Sequence, residues 1–200
     1  IRLPEIEIVK YGFYPKGGGI VRCKFYPVDR IKSIKLLERG KVKKVEGISV
    51  CGSLPEHIAR RQANSAEKIL RENRYECRIK PISTRTFSPG TCLTVWAECE
   101  KTILGADSLG KKGKPAEKVG EEAATELLKS INSNAALDKY MADQIIPFIA
   151  LANGKSEVKV EKFTDHCLTN IKVCEKILGV KFEIDEKNRM IEVEGVGFER

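Results

Sequence analysis

Between residues 41 and 134 the hydrophobic pattern reads β-α-β-β-β-α, which is enough to close a small core of its own. That block constrains the fold most, because it separates what lies on either side of it. Its first strand reads at 45–51 (VEGISVC). Leu54-Pro55 then opens the helix PEHIARRQANSAEKILREN, with Pro at the first helical position and Glu56 behind it. Extended segments follow at 76–82, 92–99 and 102–107. A polar loop, GKKGKP at 110–115, leads into a helix at 116–131.

The flanks read as pieces of another α/β unit. Strands are expected at 3–9, 20–27, 31–37 and 157–163, with a terminal pair at 180–184 and 190–196. Helices are expected at 138–152, buried and kinked or started by Pro147, and at 165–178. Residues 1–40 are too few to form a domain alone. The expected organisation is an α+β chain in which 1–40 and 135–200 belong to one large domain and 41–134 is a small α/β domain inserted into it.

Net charge is +8, and residues 1–50 hold 12 Lys and Arg against 5 Asp and Glu. So localised a basic surface favours a polyanionic partner such as RNA or DNA, with a merely solvated face as the plain alternative. No run of about 18 apolar residues exists, so no transmembrane helix is expected. The opening IRLPEIEIV has no initiator Met and no signal-peptide pattern, and the chain reads as a fragment or processed product of something longer. Seven cysteines without a CxxC pair make neither a disulfide framework nor a zinc site, and reduced thiols fit a cytoplasmic setting.

Three stretches carry chemistry. In GFYPKGGGIV (12–21), Lys16 stands beside Gly17, Gly18 and Gly19 between two strands. Such a backbone can approach a phosphate closely, or it can simply be a flexible hairpin. In YMADQIIPFIALANG (140–154), Asp143 and Gln144 interrupt an apolar helix as buried polar groups, either in structural hydrogen bonds to neighbouring loops or as a nucleotide-binding edge. Tyr140 stands one turn before Gln144 as a platform for a base. In TDHCLTNIKVCEKIL (164–178), Thr164 or Asp165 caps a helix whose apolar face is Ile171, Cys174, Ile177 and Leu178. His166 then sits at a helix N-terminus, where free N–H groups attract an anion and a neutral imidazole can act as a nucleophile, the plain alternative being a structural helix-end histidine that packs or hydrogen-bonds as any polar residue would. Thr169 and Asn170 follow as supports for the ring or the phosphate. His57, Arg60 and Arg61 read as a solvated basic face before they read as RNA contacts.

GFYPKGGGIV, YMADQIIPFIALA and HCLTNI, in this order and with a β-α insert between the first two, resemble the hallmark segments of the RNA 3′-terminal phosphate cyclase family. The resemblance covers essentially the whole chain, which is similar to the C-terminal part of such a protein. It implies a large domain of repeated βαβαββ-type units, related to enolpyruvyl-transferase repeats. It also implies an ATP-dependent enzyme that takes AMP onto a histidine and passes it to an RNA 3′-phosphate. The neighbouring 2′-OH then attacks, which leaves a 2′,3′-cyclic phosphate. By motif match His166 is the nucleophile, and Tyr140, Asp143 and Gln144 fall in the adenosine-lining segment. Thr169 and Asn170 support the site, while Lys16, Gly17, Gly18 and Gly19 are candidates for phosphate or RNA. The implied partners are ATP, Mg2+ or Mn2+, RNA with a 3′-phosphate end, and the missing N-terminal portion of the same protein. No residues of this chain are expected to ligate a metal. The runner-up readings are a catalytically silent ribosome-assembly relative of the same fold, which lacks the histidine, and an inactive C-terminal fragment.

Overall fold

A computed structural model describes residues 4–199, so Leu3 of the strand expected at 3–9 lies outside the described residues. In chain order the elements begin β1 (Glu5–Lys10), β2 (Ile20–Lys24), β3 (Lys35–Leu36), β4 (Val42–Gly52), α1 (His57–Glu72), β5 (Cys77–Thr84), β6 (Gly90–Cys99) and β7 (Ile103–Leu109). They continue α2 (Ala116–Asn132), α3 (Met141–Gln144), α4 (Ile146–Leu151), β8 (Asn153–Lys159), α5 (Asp165–Leu178), β9 (Phe182–Asp185) and β10 (Met190–Val196). The architecture is α+β, and the chain divides into two compact units.

One unit contains β1, β2, Lys43–Glu98 and Gly105–Lys129. Its four-stranded sheet runs β5-β4-β6-β7. β4 and β5 are parallel, from Val45 opposite Cys77 to Gly52 opposite Thr84. A parallel pair needs a crossover, and α1 supplies it. The helix buries Ala59, Gln62, Ala63, Ala66 and Leu70, spaced so that one face meets the core. β6 alternates strictly, with Thr91, Leu93, Val95, Ala97 and Cys99 inward. Gly120 lets α2 approach α1 closely, since a Cβ there would stand 2.3 Å from the Gln62 carbonyl oxygen. β1 and β2 form a separate antiparallel ribbon. One face holds Ile6, Ile8, Val21 and Cys23, and the other holds the Arg22–Glu7 ion pair at 2.6 Å.

The second unit contains Pro27–Val42, Cys99–Leu104 and the chain from Ser130 onward. Its sheet runs β3-β8-β10-β9, with β3 parallel to β8 and the remaining pairs antiparallel. The core is built from Ile146 and Ile149 of α4, Val158 of β8, Cys167 and Ile171 of α5, and Ile191 and Val193 of β10. Three expectations shift here. The strand expected at 31–37 is only Lys35–Leu36. The strand expected at 157–163 begins four residues earlier, at Asn153, because β10 pairs with it down to Val196 opposite Asn153. The helix expected at 138–152 is two short helices, because Pro147 has no N–H to continue the ladder and instead opens α4.

Candidate functional site

The sharpest candidate begins with a cap. Thr164 is extended (φ −97°, ψ 161°), and its Oγ1 accepts a hydrogen bond from the Cys167 N–H at 3.1 Å, which starts α5. Asp165 is therefore not the cap. It lies in the first turn, where a carboxylate complements the positive end of the helix. The helix stops at Gly179, whose φ of 70° is left-handed and whose N–H reaches the Glu175 carbonyl at 3.0 Å.

α5 buries Cys167, Ile171 and Cys174, with Leu178 partly covered. Ile177, expected on this face, is 73% exposed. The buried stripe steps by four, three and four residues, and position 177 falls one step off it. By the same geometry His166, one residue before buried Cys167, is turned about 100° from the core. His166 is exposed, and its imidazole makes no hydrogen bond or ion pair among the described residues.

The first turns of α5 hold α3. Asn170 donates through Nδ2 to the Asp143 carbonyl at 3.1 Å, and the Cys167 thiol meets the Ala142 carbonyl at 3.5 Å. Burial, helped by the nearby Asp143 carboxylate, pushes the Cys167 thiol up to about 11. It is thus a protonated packing group at neutral pH, not a second nucleophile.

Two residues that position this segment escaped the sequence reading. Asp138 is 6% exposed, and its Oδ1 accepts from the N–H groups of Tyr140 at 3.0 Å and Met141 at 2.8 Å. Glu161 accepts through Oε2 from the Ser130 hydroxyl at 2.6 Å and the Lys139 N–H at 3.2 Å. An Asp three residues before the first residue of a helix was a readable signal for the first. Nothing local announced the second, because its partners lie 31 and 22 residues away.

Asp143 is half-buried and Gln144 exposed, so they are not the buried polar pair that the apolar surroundings suggested. Tyr140 is 44% exposed, with the Lys139 ammonium 4.8 Å from its ring centroid. Tyr140 and Gln144 are one helical turn apart, joined by the Gln144 N–H to the Tyr140 carbonyl at 3.3 Å. His166, Thr169 and Asn170 share one face of α5 by their spacing, and Asn170 links that face to Asp143.

Lys16, Gly17, Gly18 and Gly19 belong to the other unit. There the Lys16 N–H is spent on the Ser88 hydroxyl at 3.0 Å, and the Gly17 N–H on the Phe13 carbonyl at 2.8 Å. Gly18 has φ +76°, and a Cβ on it would stand 2.3 Å from the Phe87 ring. The Lys16 side chain itself is exposed. On α1, Arg60 pairs with Glu56 at 2.6 Å and Arg61 with Glu117 at 2.7 Å, while His57 is exposed. No helix among the described residues is long and apolar enough to cross a membrane.

An accessible imidazole in the first turn of a well-capped helix can attack an electrophilic phosphorus beside N–H groups that favour an anion. The comparisons bear on which phosphorus. A family model described as the RNA 3′-terminal phosphate cyclase (RTC) insert domain matches residues 37–132. The RNA 3′-terminal phosphate cyclase of Thermococcus onnurineus is 45% identical, over 90% of this chain and 53% of the relative. That of Pyrococcus furiosus is 44% identical, over 90% of this chain and 52% of the relative. That of Methanopyrus kandleri is 42% identical, over 92% and 54%. The chain spans about half the length of the curated relatives it matches. With residues 37–132 matching the insert domain and 42–45% identity to these relatives over about nine-tenths of its length, this chain belongs to the RNA 3′-terminal phosphate cyclase family.

Proposed function

We propose that this chain carries the adenylyl-transfer centre of an RNA 3′-terminal phosphate cyclase, with His166 as the nucleophile. The observation that supports it is the state of His166, which is exposed and without a partner while its neighbours Cys167 and Asn170 do the structural work. A histidine kept for packing or for tying elements together would be in their position.

The chemistry divides one difficult activation into transfers. A neutral nitrogen of His166 attacks the α-phosphorus of ATP, and pyrophosphate leaves. An oxygen of the RNA 3′-phosphate then attacks the same phosphorus and releases the imidazole. Finally the adjacent 2′-OH attacks the activated 3′-phosphorus, its proton goes to solvent, and AMP leaves. That last step needs little beyond proximity, and it requires RNA because DNA lacks the 2′-OH. First-turn N–H groups of α5 stabilise charge on the phosphoryl oxygens.

Tyr140 and Gln144 offer an exposed aromatic and an amide for the adenosine, and Asp143 is held at their side by Asn170. Thr169 is placed to steady the ring or the phosphate. Lys16 contributes its exposed ammonium to RNA at the triple-glycine turn. ATP would be used with Mg2+ or Mn2+. Among the described residues no three His, Cys, Asp or Glu converge to hold a metal. In this reading 41–134 is the insert domain, 1–40 with 135–200 belong to the large domain of repeated βαβαββ-type units, and the protein works in the cytoplasm.

The test is intact-mass measurement after incubation with ATP and Mg2+, on this chain and on a family-length protein containing it. An added AMP that His166→Ala abolishes supports the reading. No adduct in either favours the silent RNA-binding relative, and an adduct only in the longer protein means that the 200 residues are an inactive portion.

A further inference from the structure

In the unit that holds β1 and β2, the triple-glycine turn meets the loop between β5 and β6 and leaves two aromatic rings in water. Phe13 anchors the turn, since a Cβ on Gly90 would stand 2.3 Å from its ring and one on Gly52 2.7 Å. The Lys16 N–H donates to the buried Ser88 hydroxyl at 3.0 Å, and Gly18 lies against the Phe87 ring. Two segments far apart in the sequence are thus fixed to each other. Tyr14, next to Phe13, is nonetheless 92% exposed, and Phe87 is 60% exposed. A ring that stays in water adds no hydrophobic stabilisation, so packing does not account for Tyr14.

The charge around these rings has one sign. Neither 8–20 nor 82–92 contains an Asp or Glu, whereas the two segments carry Lys10, Lys16 and Arg85. None of the three forms an ion pair among the described residues, and Lys16 and Arg85 are exposed. The Lys10 ammonium stands 3.7 Å from the Phe87 ring centroid, so a cation holds one face of that ring and more than half of the residue stays open. Open aromatic rings among cations, with no carboxylate in either segment, complement a strand whose bases are unpaired and whose phosphates are charged. A duplex keeps its base faces within its own stack, so it would use the cations and not the rings.

We propose that this surface is a stacking platform for single-stranded RNA. Tyr14 and Phe87 each take the face of a base, and Lys16 and Arg85 meet the adjoining phosphates. Lys10 sets the orientation of the Phe87 ring. The choice of RNA rests on the cyclase reading above, whereas the open rings and their cations do not. Within that reading the platform selects strands with unpaired ends over duplex RNA, and it does so without any part in the chemistry at His166.

The test is fluorescence anisotropy, without ATP, of a 5′-labelled mixed-sequence decaribonucleotide with a 3′-phosphate, alone and annealed to its complement. The single strand should bind this chain more tightly than the duplex does. Tyr14→Ala should weaken the single strand about tenfold with Tm unchanged, since the side chain is exposed. Tyr14→Phe should bind as the unaltered chain does, because the ring and not the hydroxyl stacks. Phe87→Leu, which keeps an apolar side chain against Gly18, should cost about as much as Tyr14→Ala. Lys16→Ala with Arg85→Ala should lower the salt slope by about 1.4, whereas Tyr14→Ala should leave it alone. No binding of the strand, unchanged affinity in Tyr14→Ala, a duplex bound as tightly, or Tyr14→Phe as weak as Tyr14→Ala overturns the proposal. Because the readout needs no AMP transfer, a chain that never adenylylates but binds in this way would defeat the cyclase reading and leave the platform standing. A chain that adenylylates at His166 and is indifferent to Tyr14→Ala would do the reverse.

Discussion

Asn170 on the first turns of α5 donates a 3.1 Å hydrogen bond to the main-chain oxygen of Asp143 on α3. This bond ties the helix that carries His166 to the segment that offers Tyr140 and Gln144. Asn170→Ala should therefore cost about 1 kcal/mol, a fall of about 2–4 °C in Tm, and reduce AMP transfer by more than that stability loss explains. Calorimetry alongside a single-turnover adenylylation assay checks both halves. A lower Tm with an unchanged rate would make the tie purely structural.

The cap at Thr164 is a second handle. Replacing it by Ala removes the acceptor for the Cys167 N–H and should cost about 1 kcal/mol, while Thr164→Ser should keep most of it. Urea denaturation of the two variants separates loss of the cap from loss of the methyl group.

The raised Cys167 thiol makes a pH prediction. With its folded value near 11 against an ordinary 9.0, the unfolded chain loses this proton first as pH rises. Cys167 thus contributes stability below pH 9 that falls away between about pH 9 and 11. Cys167→Ala should flatten that part of the stability–pH curve. A thiol reagent at pH 7.5 should modify exposed Cys23 and spare Cys167 until the chain is denatured.

The triple-glycine turn separates packing from ligand binding. Gly17→Ala meets only backbone strain, because its φ is +62° and nothing lies within 4 Å of a Cβ there. Gly18→Ala meets the same strain plus the Phe87 ring at 2.3 Å. Gly18→Ala should be the more damaging by at least about 1 kcal/mol in thermal unfolding. Equal Tm values, with a loss of RNA affinity confined to Gly18→Ala, would give the glycine to the ligand instead.

How much of this was legible in the sequence follows from which forces are local. The span of α5 was readable to the residue, because its cap, its apolar spacing and Gly179 are all encoded within one helix. The β4-α1-β5-β6-β7-α2 order was readable for the same reason. The start of β8 was not, since Asn153, Gly154 and Lys155 are held by pairing with β10, and Asn153 also by a bridge to Lys32, both far away in the sequence. His166 was legible as a helix-end histidine, but its freedom from any partner was not. Seeing that required knowing that Cys167 and Asn170 face α3.

The account stands most directly on one position. The measurement is peptide mass spectrometry, after digestion at neutral to alkaline pH, of a family-length protein containing this chain and incubated with ATP and Mg2+. The account predicts AMP on the peptide bearing His166. It also predicts no adduct in His166→Ala, whose Tm stays within about 1 °C because the side chain is exposed. AMP on any other residue, or an adduct that survives His166→Ala, would contradict it.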